Sequence, residues 1–223
     1  GRTARGAPMS CTVNPVAGRE LVLGPRPAAR AAQRWLVVGG GPAGMRAAVE
    51  LAADGHTVTL IESAARLGGQ LRLASRVPGR ESVGLLIADL ERDLRSAGVE
   101  VRLGARVDAE MIAAEAADGI VLATGAGAPR GTSLALGGAY AGGLADGRTV
   151  DAFTALADPA ALGPRIAVVD TDGTAYASGV VLSLLPHVEE LEYVTPAETA
   201  FPHVGAGYVR PILPIRAIAQ PVV

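Results

Sequence analysis

Between Trp35 and Glu62 the chain reads Trp35-Leu36-Val37-Val38, then Gly39-Gly40-Gly41-Pro42-Ala43-Gly44, then a helical run to Asp54-Gly55, then Thr57-Val58-Thr59-Leu60-Ile61-Glu62. A short apolar run without alternation predicts a strand buried on both faces, as in a parallel sheet. Gly39, Gly41 and Gly44 fit G-x-G-x-x-G at the strand-to-helix turn. In that pattern the first glycine permits a tight turn, the second lets a pyrophosphate approach the backbone, and the third lets helix and strand pack closely. The helix opens at Pro42 and Ala43, and the unpaired N–H groups of its first turn, with the positive dipole end, favour phosphate. Ala48, Leu51 and Ala52 form its sheet-facing stripe, and Gly55 sits at its C-terminal cap. Glu62, with Ser63 beside it, closes the second strand, where a carboxylate accepts hydrogen bonds from an adenosine ribose. A glycine turn without a ligand is the alternative. It leaves the ordered set of strand, glycines, helix, strand and acid without a purpose.

Composition narrows the function classes. The chain has 223 residues, of which 49% are hydrophobic and only 3% aromatic, so its cores are built from Ala, Val, Leu and Ile. A net charge of −2 gives no electrostatic reason to expect nucleic acid or an acidic membrane as partner. All 20 basic residues are Arg, which excludes lysine-based chemistry. One cysteine excludes an internal disulfide framework and an internal cysteine-cluster metal site. No apolar run has the length of a membrane span and no signal peptide precedes the first strand, so the reading is a cytoplasmic protein. The histidines, His56, His187 and His203, fall in turns or loops and form no nucleophilic or acid–base constellation.

The remaining segments arrange themselves around that unit. Residues 1–32 read as an extended arm containing Cys11. Residues 33–125 read as a nucleotide-binding domain, in which Ser82–Ala97 is an amphipathic helix and Val99–Leu103 and Ile120–Ala123 are strands. Residues 126–149, rich in Gly and Ala, read as a crossover linker. From residue 150 to 223 the opening pattern returns: Arg165 to Gly173 aligns with Arg34 to Pro42 without a gap, a helix follows, and Leu191–Thr195 is the second strand. Asp170, Asp172 and Ala175 replace the three glycines, and Thr195 replaces Glu62. Two carboxylates would repel and crowd a pyrophosphate, so the repeat reads as fold-preserving and non-binding. The fold class is therefore α/β, a Rossmann-like dinucleotide-binding domain followed by a second, degenerate β-α-β domain.

Cys11-x-x-Asn14-Pro15 with Gly18-Arg19-Glu20, followed by the glycine fingerprint, resembles a junction in the trimethylamine dehydrogenase and 2,4-dienoyl-CoA reductase family, which is old-yellow-enzyme-like. The chain is similar to the C-terminal part of such proteins, whose full-length members carry an FMN barrel, a [4Fe–4S] cluster and two nucleotide-binding domains of the glutathione-reductase type. The resemblance implies that Leu67-Gly68-Gly69-Gln70 lies along the dinucleotide, with Gly69 and Gln70 as contacts. It implies adenine seated near Val107, and Ala123-Thr124-Gly125 closing over the dinucleotide. It matches Cys11 to the last cluster cysteine, which would need three thiolates from another polypeptide. No barrel stands before the arm in this sequence, and the Gly-Asp strand that normally returns to the first domain near the flavin is not found between Pro196 and Val223, so the chain reads either as a natural fragment completed by a partner or as truncated. The implied protein is an FAD-binding subunit of a flavin-dependent oxidoreductase or demethylase, passing electrons to or from the FMN of a larger barrel-bearing flavoprotein subunit in a hetero-oligomer. FMN and the [4Fe–4S] cluster then reside on that partner. A non-catalytic subunit retaining only an ADP-like nucleotide is the alternative.

Overall fold

The computed structural model describes residues 11, 13–24, 29, 31–126, 149–170, 175–195 and 216–218. The Gly- and Ala-rich crossover, Asp172 and the proline-rich stretch beginning at Pro196 lie outside the described residues. The chain forms two compact units, Gly1–Arg72 with Ser82–Gly125, and Leu73–Glu81 with Ala126–Val223. Among the described residues no helix is long and apolar enough to cross a membrane.

In the first unit, a turn at residues 15–18 leads into one helical turn, α1 (Glu20–Leu23), so the arm is not extended throughout. Strand β1 (Arg34–Val38) is followed by α2 (Pro42–Ala53), β2 (Thr57–Glu62), α3 (Leu71–Ala74), α4 (Val83–Ser96), β3 (Glu100–Leu103), α5 (Ala109–Glu115) and β4 (Gly119–Leu122). The sheet order is β3-β2-β1-β4 and every pairing is parallel, with Val37 opposite Leu60 and Val121. Parallel neighbours require crossovers, which α2, α4 and α5 supply. On one face Val37, Val58 and Leu60 pack under Met45, Ala48, Leu90 and Leu94. On the other, Leu36, Val38 and Ile61 are covered by the stretch from Ala105 to Ala117. The continuous apolar run of β1 is thus buried on both sides.

Two details of this unit differ from the sequence pattern. The buried stripe of α2 begins a turn earlier than expected, with Gly44, Met45 and Ala48 inside, while Leu51 and Ala52 sit at its margin. Strand β4 stands at the sheet edge, and its Ile120 and Leu122 are exposed although the sequence reads as a buried strand. Only the Val121 side of β4 contributes to the core.

The second unit contains α6 (Ala152–Ala157), β5 (Arg165–Val169), α7 (Ala175–Leu184), β6 (Glu190–Val194) and β7 (Arg216–Ile218). Asp151 caps α6 by accepting the N–H groups of Phe153 and Thr154 at 2.8 and 3.0 Å. The sheet β5-β6-β7 is parallel, and β7 holds beside β6 the place that β3 holds beside β2. Its core joins Leu156, Val180, Val181, Leu184, Leu191 and Tyr193. Leu73–Glu81 packs within this unit: Val77 is buried, and a Cβ on Gly179 of α7 would lie 3.2 Å from its Cγ1. Arg76 donates to the Ala157 carbonyl at 3.3 Å.

Candidate functional site: the glycine turn between β1 and α2

The glycines of the turn have different reasons to be glycine. Gly39 has φ +108°, and a Cβ there would overlap the Ala123 carbonyl. A Cβ on Gly44 would overlap the Gly39 carbonyl oxygen. A Cβ on Gly40 would lie 3.0 Å from the Glu62 Cβ and against Leu67. Gly41 is the exception. It caps α2 with an ordinary φ of −72°, and a Cβ there would meet nothing within 4 Å. The protein's own packing makes no demand for glycine at 41, so the space in front of its Cα is open.

That space is framed by the other residues the sequence singles out. The Gly68 N–H donates to the Gly40 carbonyl at 2.8 Å, and a Cβ on Gly69 would come within 3.1 Å of the Gly41 Cα. The Gly-Gly-Gln segment therefore crosses directly over the turn, with exposed Gln70 next in sequence. Ala123 extends the β1–β4 ladder by donating to the Val38 carbonyl at 2.8 Å, which sets Ala123 and Thr124 against Gly39, with Gly125 following. Pro42 and Ala43 form the first turn of α2.

Glu62 closes β2 and is buried. Its Oε2 accepts the Gly40 N–H at 2.6 Å, while its Oε1 accepts the Ala64 N–H at 2.7 Å and the Ser63 hydroxyl at 3.0 Å. Burial pushes its carboxyl up, but the Ala64 and Gly40 N–H groups and the Ser63 hydroxyl outweigh this and hold it below its ordinary value. A carboxylate has about four lone-pair positions, so roughly one remains for a ligand. The sequence pointed to Glu62 as a ribose acceptor, and nothing in the motif indicated its tie to Gly40, an unconstrained position of the pattern. Beyond Glu62, Ala105 donates to the Glu62 carbonyl at 3.1 Å, and Val107 packs half-buried on the sheet face opposite α2 and α4.

Cys11 lies apart in the arm and is exposed. The Asn14 N–H reaches its Sγ at 3.4 Å, and the N–H groups of Asn14 and Val13 lower its thiol pKa. One cysteine cannot complete a four-thiolate cluster. Among the described residues no group of three His, Cys, Asp or Glu side chains is placed to hold a metal ion.

The second repeat reproduces the scaffold and changes the site. Arg165 pairs with Glu190 as Arg34 pairs with Thr57, and Asp170 donates its N–H to the Val194 carbonyl at 2.8 Å, as Gly39 does to Ile61 at 2.8 Å. Asp170 is drawn into the core of this unit. It is buried, and its Oδ2 accepts the hydroxyl of Tyr193, itself fully buried. Thr195, in the place of Glu62, is also buried.

A parallel sheet with a glycine turn at a helix start, closed by an acid on the next strand, defines a dinucleotide-binding α/β protein. Residues 33–171 match the family model for pyridine nucleotide-disulphide oxidoreductases, and the chain belongs to that family of flavin-dependent oxidoreductases. It is 49% identical over 125 residues to an NADH oxidase of Thermoanaerobacter brockii, a match covering 56% of this chain and 19% of that protein. It is 30% identical over 207 residues to a probable N-methylproline demethylase of Rhizobium meliloti, covering 92% of this chain and 29% of that one. Among solved structures, the 6-hydroxypseudooxynicotine amine oxidase of Pseudomonas geniculata N1 superposes with a TM-score of 0.76 at 27% identity, over 90% of this chain and 31% of that one. The chain thus spans less than a third of the length of each of these relatives.

Proposed function

We propose that this chain is the FAD-binding part of a larger flavin-dependent oxidoreductase of the trimethylamine dehydrogenase and 2,4-dienoyl-CoA reductase type. The observation that carries the reading is Gly41, whose missing side chain serves no packing contact and leaves room for a pyrophosphate. Phosphates there meet the N–H groups of Ala43 and Gly44 in the first turn of α2, with Gly69 and Gln70 above them. Glu62 offers its remaining lone pair to the ribose, and Val107 lies on the strand side where adenine would sit. FAD, when bound, supplies one- and two-electron transfer chemistry.

FMN, a [4Fe–4S] cluster and the substrate site belong to the remainder of the enzyme, a larger flavoprotein partner to which Cys11 would add one thiolate. The short span of the chain against its relatives supports this reading. A second reading, a structural ADP in place of FAD, is favoured by the gathering of the gathered residues around the ADP half of the site.

The test is the chromophore. Nucleotide released by denaturing the purified complex, and the isolated chain incubated with FAD or ADP, should show one equivalent of flavin bound to this chain. Adenine without flavin would select the ADP reading. Retention of neither by wild-type protein would overturn both.

A further inference from the structure

We propose that the Ser63 hydroxyl is an exchangeable donor to the carboxylate at the end of β2, released when that carboxylate takes both hydroxyls of a ribose. The inference rests on the nucleotide reading above and deepens it by naming the residue that tunes sugar preference. Glu62 accepts three hydrogen bonds: the Gly40 N–H at 2.6 Å on Oε2, and the Ala64 N–H at 2.7 Å and the Ser63 hydroxyl at 3.0 Å on Oε1. These donors are not equivalent. The Gly40 backbone is clamped, since its carbonyl accepts the Gly68 N–H at 2.8 Å and a Cβ on it would strike Leu67. The main chain on both sides of Ser63 is fixed as well. The Glu62 carbonyl accepts the Ala105 N–H at 3.1 Å, and the Ala64 carbonyl accepts the Gly104 N–H at 3.0 Å. Ser63 itself is exposed, and it offers a side-chain hydroxyl in place of a backbone N–H. One change of χ1 rotamer releases that hydroxyl to water without moving the main chain.

The hydrogen-bond count then decides the exchange. A carboxylate has about four lone-pair positions, and the three donors leave about one. A ribose diol brings two hydroxyls, and both donate. With Ser63 in place one of them is accommodated, and the other faces an occupied oxygen. Turning Ser63 away admits both. The second bond goes to an ionised acceptor, which makes it stronger than a bond between neutral groups. Neither backbone N–H can yield in this way, so the displacement falls on Ser63. Binding a diol therefore carries the cost of breaking the Ser63 bond, whereas a sugar with a single hydroxyl uses the open position and leaves Ser63 where it is. Ser63 is a positioning residue: it acts through Glu62 and lowers the preference of the site for ribose over deoxyribose.

The experiment titrates ADP and 2′-deoxy-ADP by calorimetry into the full chain freed of bound nucleotide, as wild type, Ser63→Ala and Ser63→Thr. Ser63→Ala should bind ADP about two- to tenfold more tightly than wild type, the range that one net hydrogen bond spans, with 2′-deoxy-ADP unchanged. Ser63→Thr keeps the hydroxyl and should return the ratio of the two affinities to its wild-type value, which a packing role for position 63 would not do. Ser63→Gly, which also lacks the hydroxyl, should repeat the alanine result and serves if the alanine variant does not fold. A ratio unchanged by loss of the hydroxyl overturns the inference, and so does ADP binding that weakens with it. Binding of ADP with an unchanged ratio leaves the nucleotide reading standing and removes the exchange alone. Failure of wild type and variants alike to bind either nucleotide overturns the nucleotide reading and the exchange together.

Discussion

Gly40 and Glu62, 22 residues apart, are joined by a buried hydrogen bond of 2.6 Å from the Gly40 N–H to Oε2. The bond ties the end of β2 to the middle of the glycine turn, so the residue that would read the ribose also sets the shape of the phosphate cradle. Replacing Glu62 by Gln substitutes a nitrogen that cannot accept for one of two oxygens that both do. The expected cost is about 1–3 kcal/mol by denaturant titration, together with loss of nucleotide.

The same residue makes the stability pH-dependent. Its folded pKa lies below the ordinary value of 4.5, so its contribution is complete above that pH and is lost as pH falls through the folded value. The stability gap between wild type and Glu62→Gln should therefore be widest near neutrality and close on acidification below pH 4.5. A gap independent of pH would contradict the hydrogen bonds described.

The glycines of the turn should separate by phenotype. Gly41→Asp places a good helix cap at a position with open space, so the thermal midpoint should hold or rise slightly while nucleotide is lost. Gly39→Ala and Gly44→Ala should instead destabilise the fold by about 1–3 kcal/mol or more, because each Cβ strikes a backbone carbonyl. Flavin or adenine content together with thermal melts decides between the two patterns.

Val77 belongs by packing to the second unit although it precedes α4 in sequence. Val77→Ala should cost roughly 1–2 kcal/mol and raise hydrogen exchange in α7, with α2 and nucleotide content unaffected. Equal loosening of α2 and α7 would argue against this assignment.

Cys11 should alkylate faster than an unperturbed cysteine at neutral pH. The Asn14 and Val13 N–H groups favour its thiolate below the ordinary value of 9.0, and the side chain is exposed. The pH profile of iodoacetamide labelling should have its midpoint below 9.0.

The local order of strand, glycine turn, helix and strand was legible in the sequence because each part answers to short-range physics. Leu36–Val38 must be buried, Gly39 must turn, and Gly55 must end a helix, whatever surrounds them. The duplication was legible too, since Arg165–Gly173 aligns with Arg34–Pro42 without a gap and keeps its Arg and its Val-Val. Tertiary structure alone decided what depends on partners distant in the chain. It set Gly40 against Leu67 and Glu62, drew Leu73–Glu81 into the second unit, paired Arg216–Ile218 with β6, and left Ile120 and Leu122 exposed on an edge strand. Asp170 shows the difference most directly. Its sequence position suggests a carboxylate facing a phosphate, whereas burial beside Tyr193, 23 residues away, turns it into the core, because a buried hydroxyl and a buried carboxyl satisfy each other more cheaply than either is left unpaired.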